Sequence, residues 1–100
     1  MSPEQQLLEY DRRHVWHPYA PTIGADPMLA VTAANGVWLQ LHDGEHRHEV
    51  IDAMASWWCQ IHGYRNPVLD EALNRQSSQF SHVMFGGLTH KAAVDAVMSL

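Results

Sequence analysis

The sequence predicts an α/β chain in which a short helix precedes a small antiparallel sheet and two more helices follow. Three observations support this prediction. Pro3 follows a serine that can cap a helix, residues 28–52 alternate short apolar runs with turn dipeptides, and residues 66–100 space their apolar side chains at about the helical period of 3.6. We therefore expect one helix, a three-stranded meander and two further helices, in that order.

The first helix should begin at Pro3 and end near Arg13. Ser2 can cap it, and proline suits the first helical position because the amide there has no partner within the helix. Gln5 can complete a capping box by bonding back to Ser2. Residues 14–27 contain three prolines and a glycine, so we expect no regular structure there.

Three short strands are predicted, over residues 28–33, 36–41 and 48–52. Asn35-Gly36 and Asp43-Gly44 lie between them, and both dipeptides tolerate the positive φ angles of tight turns. The connection over residues 42–47 is polar and should form an exposed hairpin tip.

The second helix should begin at Pro67, with Asn66 as its cap, and the third should follow Thr89 as its cap. The predicted buried residues are Val68, Leu69, Ala72, Leu73 and Phe80 for the second helix, and Ala93, Val97 and Leu100 for the third. The third helix carries no stop signal, which is not typical of the end of a natural domain. No repeat, low-complexity tract or linker marks a domain boundary.

The composition limits the classes of function. Six lysines and arginines stand against eleven acidic residues, for a net charge of −5, which argues against nucleic-acid or anionic-membrane surfaces. Cys59 is the only cysteine, so no intrachain disulfide can form and a reducing compartment is indicated. The chain shows neither a signal peptide nor an apolar run of about 18 residues. We expect a soluble, cytoplasmic protein.

The sharpest local feature is the pair Trp57-Trp58. Adjacent residues of a strand point to opposite faces, so one indole should face a cavity or an interface unless both belong to a core. Tyr19 ends a compact aromatic segment, where its phenol could bind a substrate carbonyl or amine, or only pack. Both alternatives remain open for each feature.

Other candidate motifs carry less chemistry. Gly86 and Gly87 allow a close backbone approach, but the patterns of dinucleotide and phosphate loops are absent. Lys91 stands in the first turn of the third helix, where we expect it to be exposed and inert. One cluster has metal-like composition, formed by His42, Asp43, Glu45, His46, His48 and Glu49. A solvated hairpin tip is the favoured interpretation of this cluster.

Read in order, five segments resemble one family. They are WHPY at 16–19, DAMASWW at 52–58, IHGY at 61–64, NP at 66–67 and HVMFGGLTH at 82–90. They are similar to the adenosylmethionine-8-amino-7-oxononanoate aminotransferases of biotin biosynthesis, which are class-III enzymes. The Trp pair followed by HVMFGG is the most specific part, and the resemblance covers nearly the whole chain.

The resemblance implies a fold-type I enzyme several times longer than this chain. It implies a homodimer with active sites at the subunit interface. Such an enzyme uses pyridoxal 5'-phosphate to transfer an amino group from S-adenosylmethionine to 8-amino-7-oxononanoate. Residues 1–60 would then belong to the small domain and residues 61–100 would start the large domain, without a complete catalytic domain.

The resemblance also implies roles for five residues. Tyr19 would help to recognise the substrate, and Trp57 would line the substrate site with Trp58 beside it. Met84 and Gly86 would belong to a loop that reaches the neighbouring subunit's site. The cofactor-binding residues, including the Schiff-base lysine, would lie in later parts of the enzyme.

One departure from the family's pattern is Ala55, where serine is expected. A rival hypothesis is a short non-catalytic module that binds a partner, such as a full-length aminotransferase subunit. A self-sufficient module should cover Trp57, Trp58 and residues 83–85 internally, whereas a segment of an enzyme should leave them exposed.

Overall fold

The computed structural model describes residues 1–100 and contains three helices and one sheet. The elements are α1 (Pro3–His14), β1 (Ala30–Asn35), β2 (Trp38–His42), β3 (Arg47–Ile51), α2 (Pro67–Ser77) and α3 (Lys91–Met98). The predicted order of elements and the mixed α/β composition are confirmed. The chain divides into two compact units, Met1–Asn66 and Pro67–Leu100. None of the helices is long and apolar enough to cross a membrane.

The helix α1 begins as predicted, because its cap depends only on neighbouring residues. The Gln5 amide donates to Ser2 Oγ at 3.1 Å, and the Ser2 amide donates to Gln5 Oε1 at 2.9 Å. Both halves of the capping box are therefore present. The helix ends at His14, one residue later than predicted, and Val15 continues in an extended conformation.

The sheet is an antiparallel meander in the order β1-β2-β3, as predicted. The first two strands begin about two residues later than expected, since Asn35 pairs with Trp38 and the turn consists of Gly36-Val37. The pairing register shifts at Thr32, whose hydroxyl donates to the Gln40 carbonyl at 3.2 Å. The turn residue with positive φ is Gly36, at +58°.

The predicted buried faces of α2 and α3 are wrong, because neither helix contains a buried residue. Leu73 and Val97 are exposed, and Phe80 lies beyond the end of α2. The helical period indicates which side of a helix is apolar, but it does not indicate what covers that side. Ala30 is the only buried apolar side chain in the chain.

The cap of α3 also differs from the prediction. His90, rather than Thr89, is the N-cap residue, and its Nδ1 accepts from the Ala93 amide at 3.3 Å. The helix ends at Met98, so Leu100 lies outside it and is exposed. An imidazole nitrogen can accept a backbone hydrogen bond as a hydroxyl does, although serine, threonine, aspartate and asparagine are the usual caps.

Candidate functional site

The structure brings Tyr19 and Trp57 into contact. Their ring centroids lie 5.6 Å apart at an interplanar angle of 67°, the edge-to-face arrangement that aromatic rings favour. Tyr19 is 96% exposed and Trp57 55% exposed, so both rings keep surface for a bound molecule. The neighbouring Trp58 is 87% exposed. We call Tyr19, Trp57 and Trp58 the aromatic patch.

Hydrogen bonds fix the loop that carries Tyr19. The Trp16 indole N–H donates to the Ala20 carbonyl at 2.9 Å, which closes the loop around Tyr19. His17 Nε2 lies 2.8 Å from Asp11 Oδ2, so the loop is attached to α1. Tyr19 itself has a φ of +58°, a left-handed conformation that a non-glycine residue adopts at a cost.

Trp57 and Trp58 belong to a left-handed turn of four residues. Ala55, Ser56, Trp57 and Trp58 have φ angles of 48°, 45°, 53° and 74°. Each L-residue in this region costs about 1–2 kcal/mol relative to the right-handed form. The Gln60 amide donates to the Ala55 carbonyl at 2.9 Å, which is one bond that offsets the cost.

The carboxylate of Asp52 supplies further bonds to this turn. Its Oδ1 accepts from the Met54 amide at 3.0 Å, and its Oδ2 accepts from the Ser56 amide at 2.9 Å. The Tyr64 hydroxyl donates to the same Oδ2 at 2.5 Å and also contacts the Ser56 hydroxyl. We call the side-chain bond between Asp52 and Tyr64 the clasp.

The clasp shifts the ionisation of both partners. The hydrogen bond from Tyr64, together with those from the Met54 and Ser56 amides, lowers the pKa of Asp52 below its usual value of 3.8. The same bond to a carboxylate raises the pKa of Tyr64 above its usual value of 10.0. The clasp is therefore a bond between an ionised carboxylate and a neutral phenol across the neutral pH range.

Backbone bonds attach both ends of the clasp to the turn between β1 and β2. The Gly36 and Tyr64 amides each donate to the other residue's carbonyl, at 2.9 and 2.8 Å, and the Asp52 amide donates to the Val37 carbonyl at 2.8 Å. Gly63 permits this approach, because a Cβ there would lie 3.1 Å from the Gly36 carbonyl oxygen. The sheet therefore sets the positions from which the left-handed turn is held.

The sequence interpretation missed Asp52, Ser56 and Tyr64 as a connected group. All three lie in the quoted motifs, and an aspartate four residues before a serine can bind the backbone between them. The bond from Tyr64 to Asp52 spans twelve residues, with the left-handed turn between them. The pattern of residue types did not predict that turn.

The loop that contains Met84 and Gly86 belongs to the other unit, Pro67–Leu100. Met84 is 67% exposed, and a Cβ at Gly86 would meet no atom within 4 Å. The His90 ring makes edge contacts with Phe80 and Phe85, at centroid distances of 5.5 and 5.7 Å. These contacts hold the loop near the beginning of α3.

A cleft of about 860 Å³ lies between α1 and residues 20–28, within the first unit. Leu8, Trp16, Ile23 and Met28 line it together with charged residues of α1. Neither Tyr19 nor Trp57 lines this cleft. The aromatic patch, whose side chains are exposed, is an open surface in this chain, and it could form at most one wall of a pocket.

The hairpin tip carries a hydrogen-bond network and no metal site. Asp43 accepts from the Glu45 and His46 amides at 2.8 and 2.7 Å and contacts His48 Nε2 at 2.7 Å. These bonds hold the pKa of Asp43 well below its usual range, and the bond from the His46 amide contributes most. No three histidine, cysteine or acidic residues converge closely enough to bind a metal ion.

Lys91 is exposed, as predicted, with 86% of its side chain accessible. Its ammonium group forms an ion pair with Asp95 on the same helix. A lysine that forms an imine with a cofactor needs a desolvated pocket that lowers its pKa. Lys91 has no such pocket, and no other lysine is present, so the residues of this chain do not fit a covalent pyridoxal-phosphate site.

Comparison with known families matches residues 20–100 to the family described as aminotransferase class-III. Three similar relatives are all named adenosylmethionine-8-amino-7-oxononanoate aminotransferase. The Saccharomyces cerevisiae protein is 50% identical over 96 residues, which cover 95% of this chain and 20% of the relative. The Buchnera aphidicola (subsp. Baizongia pistaciae) protein is 46% identical over 97 residues, covering 97% and 22%. The Corynebacterium glutamicum protein is 51% identical over 88 residues, covering 88% and 20%. The chain thus spans about a fifth of these relatives' length.

Proposed function

Because this chain belongs to the class-III aminotransferase family, we propose that it is the N-terminal segment of an adenosylmethionine-8-amino-7-oxononanoate aminotransferase. The enzyme would transfer an amino group from S-adenosylmethionine to 8-amino-7-oxononanoate, giving 7,8-diaminononanoate for biotin biosynthesis. It would be a cytoplasmic homodimer of fold type I. Relatives with this name match the chain almost from end to end, which supports the proposal.

The exposed contact between Tyr19 and Trp57 is the observation that supports a substrate-binding role for this segment. A rigid indole offers an apolar wall, and its face also attracts cations such as a sulfonium or ammonium group. The nearby phenol can donate to a carbonyl or accept from an amine. We assign substrate binding to the aromatic patch, with Trp57 as the wall and Tyr19 as the polar contact.

The proposal assigns the cofactor to other parts of the enzyme. Class-III aminotransferases in general use pyridoxal phosphate, but the exposed and ion-paired Lys91 does not suit that role. We therefore assign no chemical step to Lys91. The contribution of this chain would be to bind and orient the substrates and to exclude water from one side of them.

The loop of Met84 and Gly86 would contribute to the site of the neighbouring subunit. Its support is the exposure of Met84 and the open space around Gly86, which would allow another chain to approach closely. In the same proposal, residues 1–60 belong to the small domain and residues 61–100 start the large domain. The exposure of Trp57, Trp58 and Met84 argues against the rival self-sufficient module, which should cover such side chains.

The test has a genetic and a kinetic part. If the proposal is correct, the reading frame continues past Leu100 and encodes a lysine that follows a buried strand. The full-length protein should convert 8-amino-7-oxononanoate to 7,8-diaminononanoate with S-adenosylmethionine as donor. Trp57→Ala should reduce kcat/KM, whereas Trp38→Ala, a control on strand β2 outside the aromatic patch, should not. Equal effects of the two variants would contradict the assignment of Trp57.

A further inference from the structure

We propose that Asp52 and Tyr64 are positioning residues for Trp57, and that the clasp between them fixes the indole in the orientation that receives the substrate. This inference rests on the proposed substrate-binding role of Trp57. Neither residue need touch the substrate, since both act through the left-handed turn.

The turn needs support because its conformation is intrinsically unfavourable. Ala55, Ser56, Trp57 and Trp58 are all L-residues with positive φ, and an unsupported chain would return to negative φ values. A change of φ at Trp57 would rotate its Cα–Cβ bond and carry the indole away from the Tyr19 ring. In this structure the edge contact between the two rings is made from the left-handed form.

The clasp supplies support where the turn begins. Asp52 binds the amides of Met54, which precedes the turn, and of Ser56, the second residue of the turn, so one carboxylate holds the start of the turn. Tyr64 binds Asp52 and contacts Ser56, so its hydroxyl connects both residues. Hydrogen bonds to a charged acceptor are stronger than those between neutral groups. The lowered pKa of Asp52 keeps this acceptor charged at neutral pH.

The sheet holds both residues of the clasp in position. Tyr64 exchanges two backbone hydrogen bonds with Gly36, and the Asp52 amide donates to Val37. The tyrosine ring has only two rotatable side-chain bonds, so the anchored backbone restricts the position of its hydroxyl. The sheet thereby sets the orientation of Trp57 through the clasp. A side chain that forms the wall of a binding site needs such support from a rigid element.

Two substitutions weaken or remove the bonds of the clasp without changing side-chain size by much. In Asp52→Asn the amide nitrogen replaces one acceptor oxygen, so the side chain can no longer accept at both positions. In Tyr64→Phe the donor is lost while the ring is kept. Asp43→Asn is a matched control, since Asp43 also accepts two backbone amides but holds the hairpin tip, where we assign no function.

The test is a double-mutant cycle on kcat and KM in the full-length enzyme, combining Asp52→Asn with Trp57→Ala. Asp52→Asn should lower kcat/KM for 8-amino-7-oxononanoate by roughly 10- to 100-fold, since a displacement of about 1 Å at a site can have an effect of this size. In the Trp57→Ala background, most of that loss should disappear, because the residue through which Asp52 acts is absent. Asp43→Asn should leave kcat/KM within about twofold of the wild type in either background.

The outcomes separate this inference from the proposed function. If Trp57→Ala alone leaves kcat/KM unchanged, Trp57 is not a substrate wall. Both the substrate role of Trp57 and the positioning role of Asp52 and Tyr64 are then overturned. If Trp57→Ala lowers kcat/KM but Asp52→Asn has no effect, or the same effect in both backgrounds, the positioning role is wrong and the substrate wall stands. Should Asp52→Asn fail to fold, Tyr64→Phe takes its place in the same cycle, with the same expectations.

Discussion

Tyr19 shows how a single side chain can be exposed and still be held in place. Its backbone lies in a loop closed by the bond from Trp16 to Ala20, and its ring rests against Trp57. Its 96% exposure means that the fold gains little from burying the ring. A residue held in this way can lose its hydroxyl without much effect on stability.

The variant Tyr19→Phe should therefore affect substrate use and not folding. In the full-length enzyme, the lost hydrogen bond should raise the barrier by about 0.5–1.5 kcal/mol for a neutral substrate group, or by about 1.5–3 kcal/mol for a charged one. We expect kcat/KM to fall accordingly while Tm stays near that of the wild type. If kcat/KM is unaltered for both the amino donor and the acceptor, Tyr19 only packs against Trp57.

The clasp predicts two pH limits for the left-handed turn. The pKa of Asp52 is lowered from 3.8, so its contribution to stability is complete above pH 3.8 and is lost as pH falls through the lowered value. The pKa of Tyr64 is raised from 10.0, so its contribution is complete below pH 10.0 and is lost as pH rises through the raised value. An ultraviolet titration of tyrosinate, taken as wild type minus Tyr64→Phe, should show Tyr64 ionising above pH 10.0.

Asp52→Asn provides the control for this titration. With the negative charge removed, the pKa of Tyr64 should move back toward its ordinary value. A Tyr64 titration that is the same in Asp52→Asn and in the wild type would contradict the clasp.

Among the elements, the sequence predicted interactions between residues close along the chain better than interactions between distant residues. The cap of α1 involves residues three apart, and the sequence predicted both of its bonds. The left-handed turn is bonded through Asp52 to Tyr64, which pairs with the distant Gly36, and the sequence did not predict it. For the same reason the family resemblance selected Tyr19 and Trp57 separately, whereas their contact became visible only in the fold.

The close approach between Gly63 and the β1–β2 turn predicts a steric effect that can be separated from a backbone effect. Gly63 has a φ of +80°, and an added Cβ would lie 3.1 Å from the Gly36 carbonyl oxygen. Gly63→Ala should therefore incur about 1–2 kcal/mol for the left-handed backbone, together with a further loss from the clash.

Gly24→Ala is the matched control, because Gly24 has a φ of +74° but open space around it. It should show only the backbone cost, so the difference between the two variants measures the clash. Denaturant midpoints of the full-length protein would give both values. Equal destabilisation by the two substitutions would show that the backbone around Gly63 and Gly36 can move apart without a loss of stability.

At the scale of the whole chain, amphipathic periodicity predicted the helices better than their burial. The elements α2 and α3 lie close to the predicted places, yet their apolar faces are exposed, and Ala30 alone is a buried apolar residue. Periodicity reports which side of a helix needs covering, and the covering surface need not belong to the same hundred residues. The exposed apolar side chains are the physical ground for treating this chain as part of a larger structure.

The exposure of these faces leads to a prediction about the 100-residue chain on its own. With so little apolar surface buried, the gain from burial should not offset the conformational entropy lost on folding. The isolated chain should bind hydrophobic dyes and give weak near-ultraviolet circular dichroism while retaining helical far-ultraviolet signal, the properties of a molten globule. The same residues within the full-length enzyme should be ordered, which amide hydrogen exchange over residues 1–100 would show as strong protection. A soluble monomer of the isolated chain with a sharp thermal transition would overturn this expectation and would favour the self-sufficient binding module.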